Sequence, residues 1–211
     1  MSNIRSPIVS VLGHVDHGKS SLLDAIRDTD ILKTEAGAIT QAIGDSIVPA
    51  DTIQRKCGNL LKSLGVELTI PGLLFIDTPG HAAFTSLRKR GGSLADIAVV
   101  VVDINEGFKP QTYEAIEVLR AAKTPFIIAA NKVDALGGFS LQGASEDSPI
   151  LGLLGKQSAH VQQSVETKMY ELVGQLYDKF NLTAERFDRV EDFTNQVAII
   201  PISAMKKIGI Q

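Results

Sequence analysis

Short apolar runs recur along the chain and predict buried β-strands. Three of them are rich in β-branched residues and cover residues 8–12, 97–102 and 126–130, and two more cover residues 73–76 and 197–202. None of the runs alternates cleanly with polar residues, so each strand is expected to be buried on both faces, as in a parallel sheet.

Helix-length segments lie between the apolar runs. Apolar residues near helical spacing predict helices over residues 20–27, 52–65, 82–90, 112–122 and 159–179. In the second of these, one face would carry Ile53, Cys57, Leu60, Leu61 and Leu64. The alternation of strand and helix predicts an α/β fold, a doubly wound and mostly parallel sheet with helices on both faces. Such sheets bind ligands beyond the carboxyl ends of their strands.

Two segments interrupt this alternation. Residues 34–44 are rich in Gly and Ala without a period, which is typical of a mobile loop. Residues 136–156 contain five glycines and are expected to form an irregular surface insertion. A single domain would span residues 1–211.

Composition narrows the class of protein. The chain has 211 residues, of which 44% are hydrophobic and 21% are charged, as in an ordinary globular domain. A net charge of −3 gives no global attraction for nucleic acid. The single cysteine favours a reducing compartment, and no apolar run approaches the roughly 18 residues that span a bilayer. We therefore expect a cytoplasmic domain without membrane attachment.

The strongest chemical signal is the segment GHVDHGKS at residues 13–20. It matches the phosphate-binding loop G-x-x-x-x-G-K-[ST] and lies between a predicted strand and a predicted helix, as that motif requires. The glycines let backbone N–H groups surround phosphates, and the helix that follows directs its positive end at them. Lys19 would contact the β- and γ-phosphates, and the Ser20 hydroxyl would bind Mg²⁺.

The segment NKVD at residues 131–134 identifies the base. The Asp134 carboxylate can accept two hydrogen bonds from guanine, whereas adenine would leave it unpaired. Asn131 would brace the phosphate loop, and the aliphatic part of Lys132 would lie over the base. Ser203 and Ala204, after the last predicted strand, would direct backbone N–H groups at the guanine O6 atom.

The segment DTPGH at residues 77–81 follows another strand. Asp77 would hold Mg²⁺ through a water, and the Gly80 N–H would meet the γ-phosphate. His81 would orient or stabilise the attacking water, the role of Gln in some GTPases; the alternative is a helix-start residue without catalytic function. Thr40 would supply a second hydroxyl to Mg²⁺ in the triphosphate state.

Two other patterns have simpler explanations. His14, Asp16 and His17 have the spacing of metal ligands, but both imidazoles could not reach one ion without unwinding the phosphate loop. The basic residues 88–90 favour a solvated helix face, with contact to RNA or an acidic partner as the alternative.

These motifs, with EAGAIT at residues 35–40, together resemble the translational GTPases. FTSLRKRGG at 84–92 and DINEGFKPQT at 103–112 are similar to the branch of initiation factors that promote joining of ribosomal subunits. The long segment between Asp134 and Ser203 resembles the initiation factor five B family, the counterpart of bacterial initiation factor two, and the resemblance implies a family-type insertion at about 136–195. The resemblance covers essentially the whole chain.

The resemblance implies roles for individual residues. His81 would be the catalytic histidine of the second switch, Val15 and Ile39 its hydrophobic gate, and Asp16 a ligand of a monovalent cation, K⁺ or Na⁺. The full set of predicted nucleotide-binding residues is Asp16, His17, Gly18, Lys19, Ser20, Ser21, Thr40, Asp77, Gly80, Asn131, Lys132, Asp134, Ser203, Ala204 and Met205.

The resemblance also implies partners. The domain would bind GTP and GDP, act on the ribosome, and be monomeric by itself. β-Barrel and helical domains that normally follow it are expected to be absent from this chain, and through them the family contacts initiator tRNA and other initiation factors.

Two alternatives remain at this point. The domain could be a tRNA-delivering translational GTPase, or a nucleotide-gated binding module without significant hydrolysis.

Overall fold

The computed structural model describes residues 4–27, 45–63, 65–77, 95–144 and 148–210, with the side chains of Asp45 and Asp77 excepted. Seven strands form one sheet: β1 (Ile8–Gly13), β2 (Asp45–Pro49), β3 (Gly72–Asp77), β4 (Ile97–Asp103), β5 (Phe126–Asn131), β6 (Thr183–Arg186) and β7 (Gln196–Pro201). Five α-helices are described: α1 (Lys19–Arg27), α2 (Ala50–Ser63), α3 (Pro110–Ala121), α4 (Ile150–Leu154) and α5 (Ala159–Phe180).

The sheet has the order β2-β3-β1-β4-β5-β7-β6. Only the edge pair of β2 and β3 is antiparallel, and every other neighbouring pair is parallel. The prediction of a doubly wound, mostly parallel sheet is therefore confirmed. The carboxyl ends of β1, β4 and β5 lie together, because Gly13 pairs with Val101 and Asp103 pairs with Asn131.

Two hydrophobic clusters cover the two faces of the sheet. Along β4, Ala98, Val100 and Val102 belong to one cluster, and the intervening Val101 belongs to the other. Because successive side chains of a strand point to opposite faces, the clusters lie on opposite sides. The first cluster includes residues of α3 and α5, and the second includes residues of α1.

The irregular surface insertion predicted over residues 136–156 needs a correction. It contains the short helix α4, and Leu136, Ile150, Leu153 and Leu154 are buried in the same cluster as α5. Its apolar residues therefore contribute to the core, although glycines separate them in sequence.

Helix α2 confirms the predicted helix, with its bounds shifted from residues 52–65 to Ala50–Ser63. Among its described residues only Gly58 is buried, and Leu60 is 46% exposed. Leu64 lies outside the described residues, as do the mobile loop predicted over residues 34–44 and the helix predicted over residues 82–90.

Candidate functional site

A cavity of about 580 Å³ opens at the carboxyl ends of β1 and β5. Its lining residues come from the predicted phosphate loop, from the NKVD segment and from the chain after β7; they are Val15, Asp16, Gly18, Lys19, Ser20, Ser21, Asn131, Lys132, Asp134, Ala135 and Met205. Segments distant in sequence thus meet where a doubly wound sheet binds ligands.

The glycines of the phosphate loop are required by close contacts. Gly13 has φ +146°, and a Cβ there would lie 2.3 Å from the Val101 carbonyl oxygen. Gly18 has φ +95°, and a Cβ there would lie 2.2 Å from the Asn131 Nδ2 atom. Only glycine allows the loop to adopt this backbone conformation and to approach the neighbouring strand and side chain so closely.

The loop leads directly into α1. The Leu22 N–H donates to the Gly18 carbonyl at 2.9 Å, so the helix begins as soon as the loop ends. Backbone N–H groups in the first turn of a helix have no partner within it and attract anions. The Lys19 Nζ atom donates to the His14 carbonyl oxygen at 2.7 Å, which holds this cation across the loop.

Asp16 has a left-handed backbone conformation with φ 63° and lies exposed at the edge of the cavity. Left-handed conformations are tolerated by Asp better than by most residues, because its short side chain can bond locally. Val15 is also exposed, and its N–H donates to the Gln111 Oε1 atom at 3.4 Å. The same oxygen lies 2.7 Å from the His14 Nδ1 atom, so the start of α3 contacts the loop.

Asn131 joins the parts of the site. It is 2% exposed; its Nδ2 atom donates to the His17 carbonyl at 3.0 Å, and its Oδ1 atom accepts from the Ala204 N–H at 2.9 Å. One buried amide therefore fixes the phosphate loop relative to the segment after β7. A buried amide whose partners are all supplied in this way positions the groups around it.

Lys132 and Asp134 follow Asn131 in a tight turn. Lys132 has φ 66° and ψ 35°, and Asp134 lies in a 3-10 turn over Val133–Ala135. The Val133 N–H donates to the Ile202 carbonyl at 3.2 Å, which ties this turn to the end of β7. Both polar side chains line the cavity as a result.

The structure modifies the expectation for the segment after β7. The Ser203 N–H donates to the Ile208 carbonyl at 3.0 Å, and the Ala204 N–H donates to Asn131. Both groups that were expected to face a guanine O6 atom are thus engaged within the protein. Met205, which is 76% exposed, is the member of this segment that lines the cavity.

Nucleotide binding by His17 stays a prediction, and its imidazole is buried. Its side chain is 1% exposed and is not among those that line the cavity, and only its carbonyl takes part in the brace described above. Neither ring nitrogen has a hydrogen-bond partner among the described residues. Burial, with help from the nearby His14, lowers the pKa of His17, so the imidazole is held neutral.

Several predicted residues lie outside the described part of the chain: Ile39, Thr40, Gly80, His81 and the basic residues 88–90. The backbone of Asp77 is described. It ends β3 and pairs with Val11 of β1, next to the start of the phosphate loop.

Sequence reasoning missed Asp103, at the end of β4. Its carboxylate is 5% exposed and accepts a hydrogen bond from the Lys132 Nζ atom at 2.8 Å. The sequence did contain a signal for Asp103, because an acidic residue that ends a buried strand lies near the end of the adjacent parallel strand. In the sequence, Asp103 stood out only as the first residue of the segment 103–112, which carries the family resemblance.

Comparison with known proteins agrees with this geometry. Residues 4–211 match the family model for the elongation factor Tu GTP binding domain. The relatives include a "Probable translation initiation factor IF-2" from Methanopyrus kandleri, 58% identical over 98% of this chain, and one from Thermococcus onnurineus, 56% identical over 100% of it. The chain spans about a third of these relatives, since 34% of each is covered.

A solved structure is similar throughout. The crystal structure of GDP-bound aIF5B from Aeropyrum pernix is 52% identical in sequence, has a TM-score of 0.86, and matches 99% of this chain with 34% of its own. The family match covers nearly all residues, the sequence identities exceed one half, and the fold is the same. The chain belongs to the translational GTPases, as a GTP-binding domain of the IF-2 and aIF5B type of translation initiation factor.

Proposed function

We propose that this domain binds GTP and GDP in the cavity described above, and that it hydrolyses GTP as the switch of an initiation factor that promotes joining of ribosomal subunits. The observation that supports this most directly is the Asn131 amide, which joins the phosphate loop to the segment after β7. It supports a single cavity with the proposed phosphate end at the loop and the proposed base end at the NKVD segment.

One end of the cavity has groups suited to phosphates, and the other end has groups suited to guanine. The N–H groups of the loop and of α1, together with Lys19, offer positive charge to the phosphates. Asp134 would accept hydrogen bonds from the N1–H and the amine of guanine. A site built on such bonds rejects a base that lacks the donors by about 10⁴–10⁵.

The donor set fits Mg²⁺, which prefers oxygen ligands and bound phosphate. The Ser20 hydroxyl lines the cavity next to Lys19, and β3 ends at Asp77 beside the loop. Ser20, Asp77 and Thr40 would hold the ion, which would supply charge neutralisation on the phosphates. Asp16, exposed at the edge of the cavity, is the proposed ligand of a monovalent cation, K⁺ or Na⁺.

Hydrolysis is assigned to His81, which would orient or stabilise the attacking water, with Val15 and Ile39 as the gate. GTP hydrolysis in the absence of the ribosome is expected to be slow, because none of the described arginines lines the cavity to stabilise the transition state. Groups supplied in trans accelerate other GTPases by about 10³–10⁵. The proposed activator is the ribosome, and the proposed place of action is the cytoplasm.

The remaining partners belong to the whole factor. The relatives are about three times as long as this chain, and we propose that initiator tRNA and other initiation factors bind parts beyond this domain. Within the described part of the chain, none of the helices combines the length and the apolar character that crossing a bilayer requires.

Thermal unfolding with nucleotides tests the binding part of this proposal. A ligand at 100 times its Kd stabilises a protein by about 2.7 kcal/mol, which gives a measurable rise in Tm. GTP and GDP with Mg²⁺ should raise the Tm, and ATP at the same concentration should not. An equal rise with ATP would contradict the base assignment, and no rise with any nucleotide would contradict the site.

A further inference from the structure

The proposed function assigns no role to the carboxylate of Asp103. It ends β4, and its neighbour across the sheet is Asn131, the residue that precedes Lys132. The pairing continues beyond the strand, since the Ile104 N–H donates to the Asn131 carbonyl at 2.9 Å. The backbone therefore places the Asp103 carboxylate beside the turn that carries Lys132 and Asp134.

Both oxygens of this carboxylate are engaged. Oδ2 accepts from the Lys132 Nζ atom at 2.8 Å, and Oδ1 accepts from the Asn105 N–H at 2.9 Å and from its Nδ2 atom at 3.3 Å. Asn105 thus fixes the orientation of the group that Lys132 contacts. A buried carboxylate held by several donors is a rigid acceptor.

Charge is balanced in this pair. Burial by itself would raise the pKa of Asp103, but the hydrogen bond from Lys132 and those from Asn105 keep it below its ordinary value. Asp103 is therefore ionised, and Lys132 is its cationic partner. Hydrogen bonds between ionised groups are roughly twice as strong as neutral ones.

Lys132 needs such a restraint. Its four-carbon side chain has several rotatable bonds and loses rotamer entropy when it is ordered. Its backbone is left-handed, and the side chain lines the cavity while the ammonium end contacts Asp103. Fixing the far end of the side chain holds the aliphatic part along the cavity wall.

We propose that Asp103 is a positioning residue for nucleotide binding: it holds Lys132 so that the aliphatic part of the lysine forms a preordered surface for the purine ring. This rests on the proposed function, because it requires a guanine nucleotide in this cavity. The surface contacts the ring and not its edge, so Asp103 contributes affinity for purines, whereas Asp134 contributes discrimination between them.

The test is equilibrium binding of GDP and of IDP, which lacks the 2-amino group, to the 211-residue chain with Mg²⁺. Asp103→Asn keeps the size of the side chain and an acceptor for Asn105 but removes the charge that attracts Lys132. The substitution should weaken the binding of GDP and the binding of IDP by the same factor, about tenfold each, and leave the ratio of the two affinities unchanged. A lost edge contact would change that ratio.

A double-mutant cycle shows whether Asp103 acts through Lys132. Lys132→Met keeps an aliphatic side chain without the ammonium group, so it should reproduce the loss seen with Asp103→Asn. Adding Asp103→Asn to Lys132→Met should then change GDP affinity less than twofold. The matched control is Glu171→Gln, since Glu171 pairs with Lys168 on α5 and neither residue lines the cavity; it should bind GDP as the unaltered chain does.

Three results would overturn this inference: GDP affinity unchanged in Asp103→Asn, the same loss with and without Lys132→Met, or a changed ratio of GDP to IDP affinity. Lys132→Met alone is decisive if Asp103→Asn does not fold, because unchanged affinity in that variant also overturns it. If the unaltered chain binds neither nucleotide, the proposed function fails instead.

Discussion

At the scale of single residues, the site depends on side chains that were expected to bind nucleotide but also connect parts of the protein. Asn131 is the clearest case. Its role as a brace could be predicted from the NKVD motif, but its bond to Ala204 could not, because the two residues are 73 positions apart. That contact follows from the parallel pairing of β5 with β7, which a local pattern does not specify.

Replacing Asn131 with Ala should destabilise the chain even without nucleotide. Two hydrogen bonds are lost, and a buried carbonyl and a buried N–H are left unpaired; each unpaired group costs roughly 1–3 kcal/mol. We expect a loss of about 2–4 kcal/mol in the free energy of unfolding, measured with urea. The control is Asn195→Ala on the exposed loop before β7, with a loss below about 1 kcal/mol. Equal losses would contradict the bracing role.

His17 shows that a motif position does not specify where a side chain points. The sequence placed it in the phosphate loop, yet the imidazole is buried, near His14, Asp103, Glu106 and Lys132. Burial depends on the packing of the loop against the segment after β4. A sequence pattern for phosphate binding contains no information on that packing.

The lowered pKa of His17 predicts a pH dependence of stability. The unfolded chain binds a proton near pH 6.5 and the folded chain resists it, so the stabilisation is complete above about 6.5 and is lost as the pH falls below it. His17→Phe should remove this part of the dependence, measured by urea unfolding at pH 7.5 and 5.5. His160→Phe, at an exposed site on α5, should keep it. An unchanged pH dependence in His17→Phe would contradict the assignment.

At the scale of elements, the buried strands were predicted and the edge strands were not. The five apolar runs correspond to β1, β3, β4, β5 and β7. The missed strands, β2 and β6, have five and four residues and form the two edges of the sheet. A short edge strand is defined by hydrogen bonds to its neighbour and needs no apolar run of its own.

Helix α5 was predicted because its buried face is continuous. Val161, Val165, Met169, Leu172 and Leu176 recur at helical spacing and all are buried. Asn181, with φ 54°, ends the helix in a left-handed conformation, which short polar residues such as Asn adopt more readily than most. In α2, by contrast, Ile53 is partly buried against the second cluster, whereas Leu60 on the same predicted face is exposed.

Leu176→Ala tests the contribution of α5 to the core. The side chain is fully buried, so the substitution should cost about 2–5 kcal/mol of unfolding free energy, through lost burial and a cavity. Tyr177→Ala, one residue away and 60% exposed, should change stability by less than about 0.5 kcal/mol. Thermal and urea unfolding of both variants measure the difference. A small effect of Leu176→Ala would mean that α5 contributes little to the core.

At the scale of the whole molecule, the proposed function is that of a domain that senses nucleotide and acts on a larger assembly. Motif order and strand order together allowed the fold and the nucleotide cavity to be predicted. The roles of Thr40, Gly80 and His81 remain predictions from sequence, because these residues lie outside the described part of the chain. Thr40 and Gly80 would contact Mg²⁺ and the γ-phosphate, which concerns binding, whereas His81 concerns hydrolysis.

His81→Ala separates these two activities. The variant should bind GTP about as tightly as the unaltered domain, because the imidazole would act on the attacking water and not on the nucleotide. Ribosome-stimulated phosphate release, measured with the complete factor, should fall by at least about 10²-fold, as expected when a positioned catalytic group is lost. Stimulated hydrolysis at the unaltered rate would contradict the catalytic role. Equal losses of GTP affinity and hydrolysis would show that the residue acts on binding.

Selection of guanine by this cavity is proposed to depend on Asp134. It is tested most directly by titrating GDP and xanthosine diphosphate into the unaltered chain and into Asp134→Asn. Xanthine has a carbonyl where guanine has its amine, so it needs a donor where guanine needs an acceptor. We expect the unaltered chain to prefer GDP strongly and Asp134→Asn to reverse the preference by at least about 10²-fold. An Asp134→Asn variant that still prefers GDP as the unaltered chain does would contradict this dependence on Asp134.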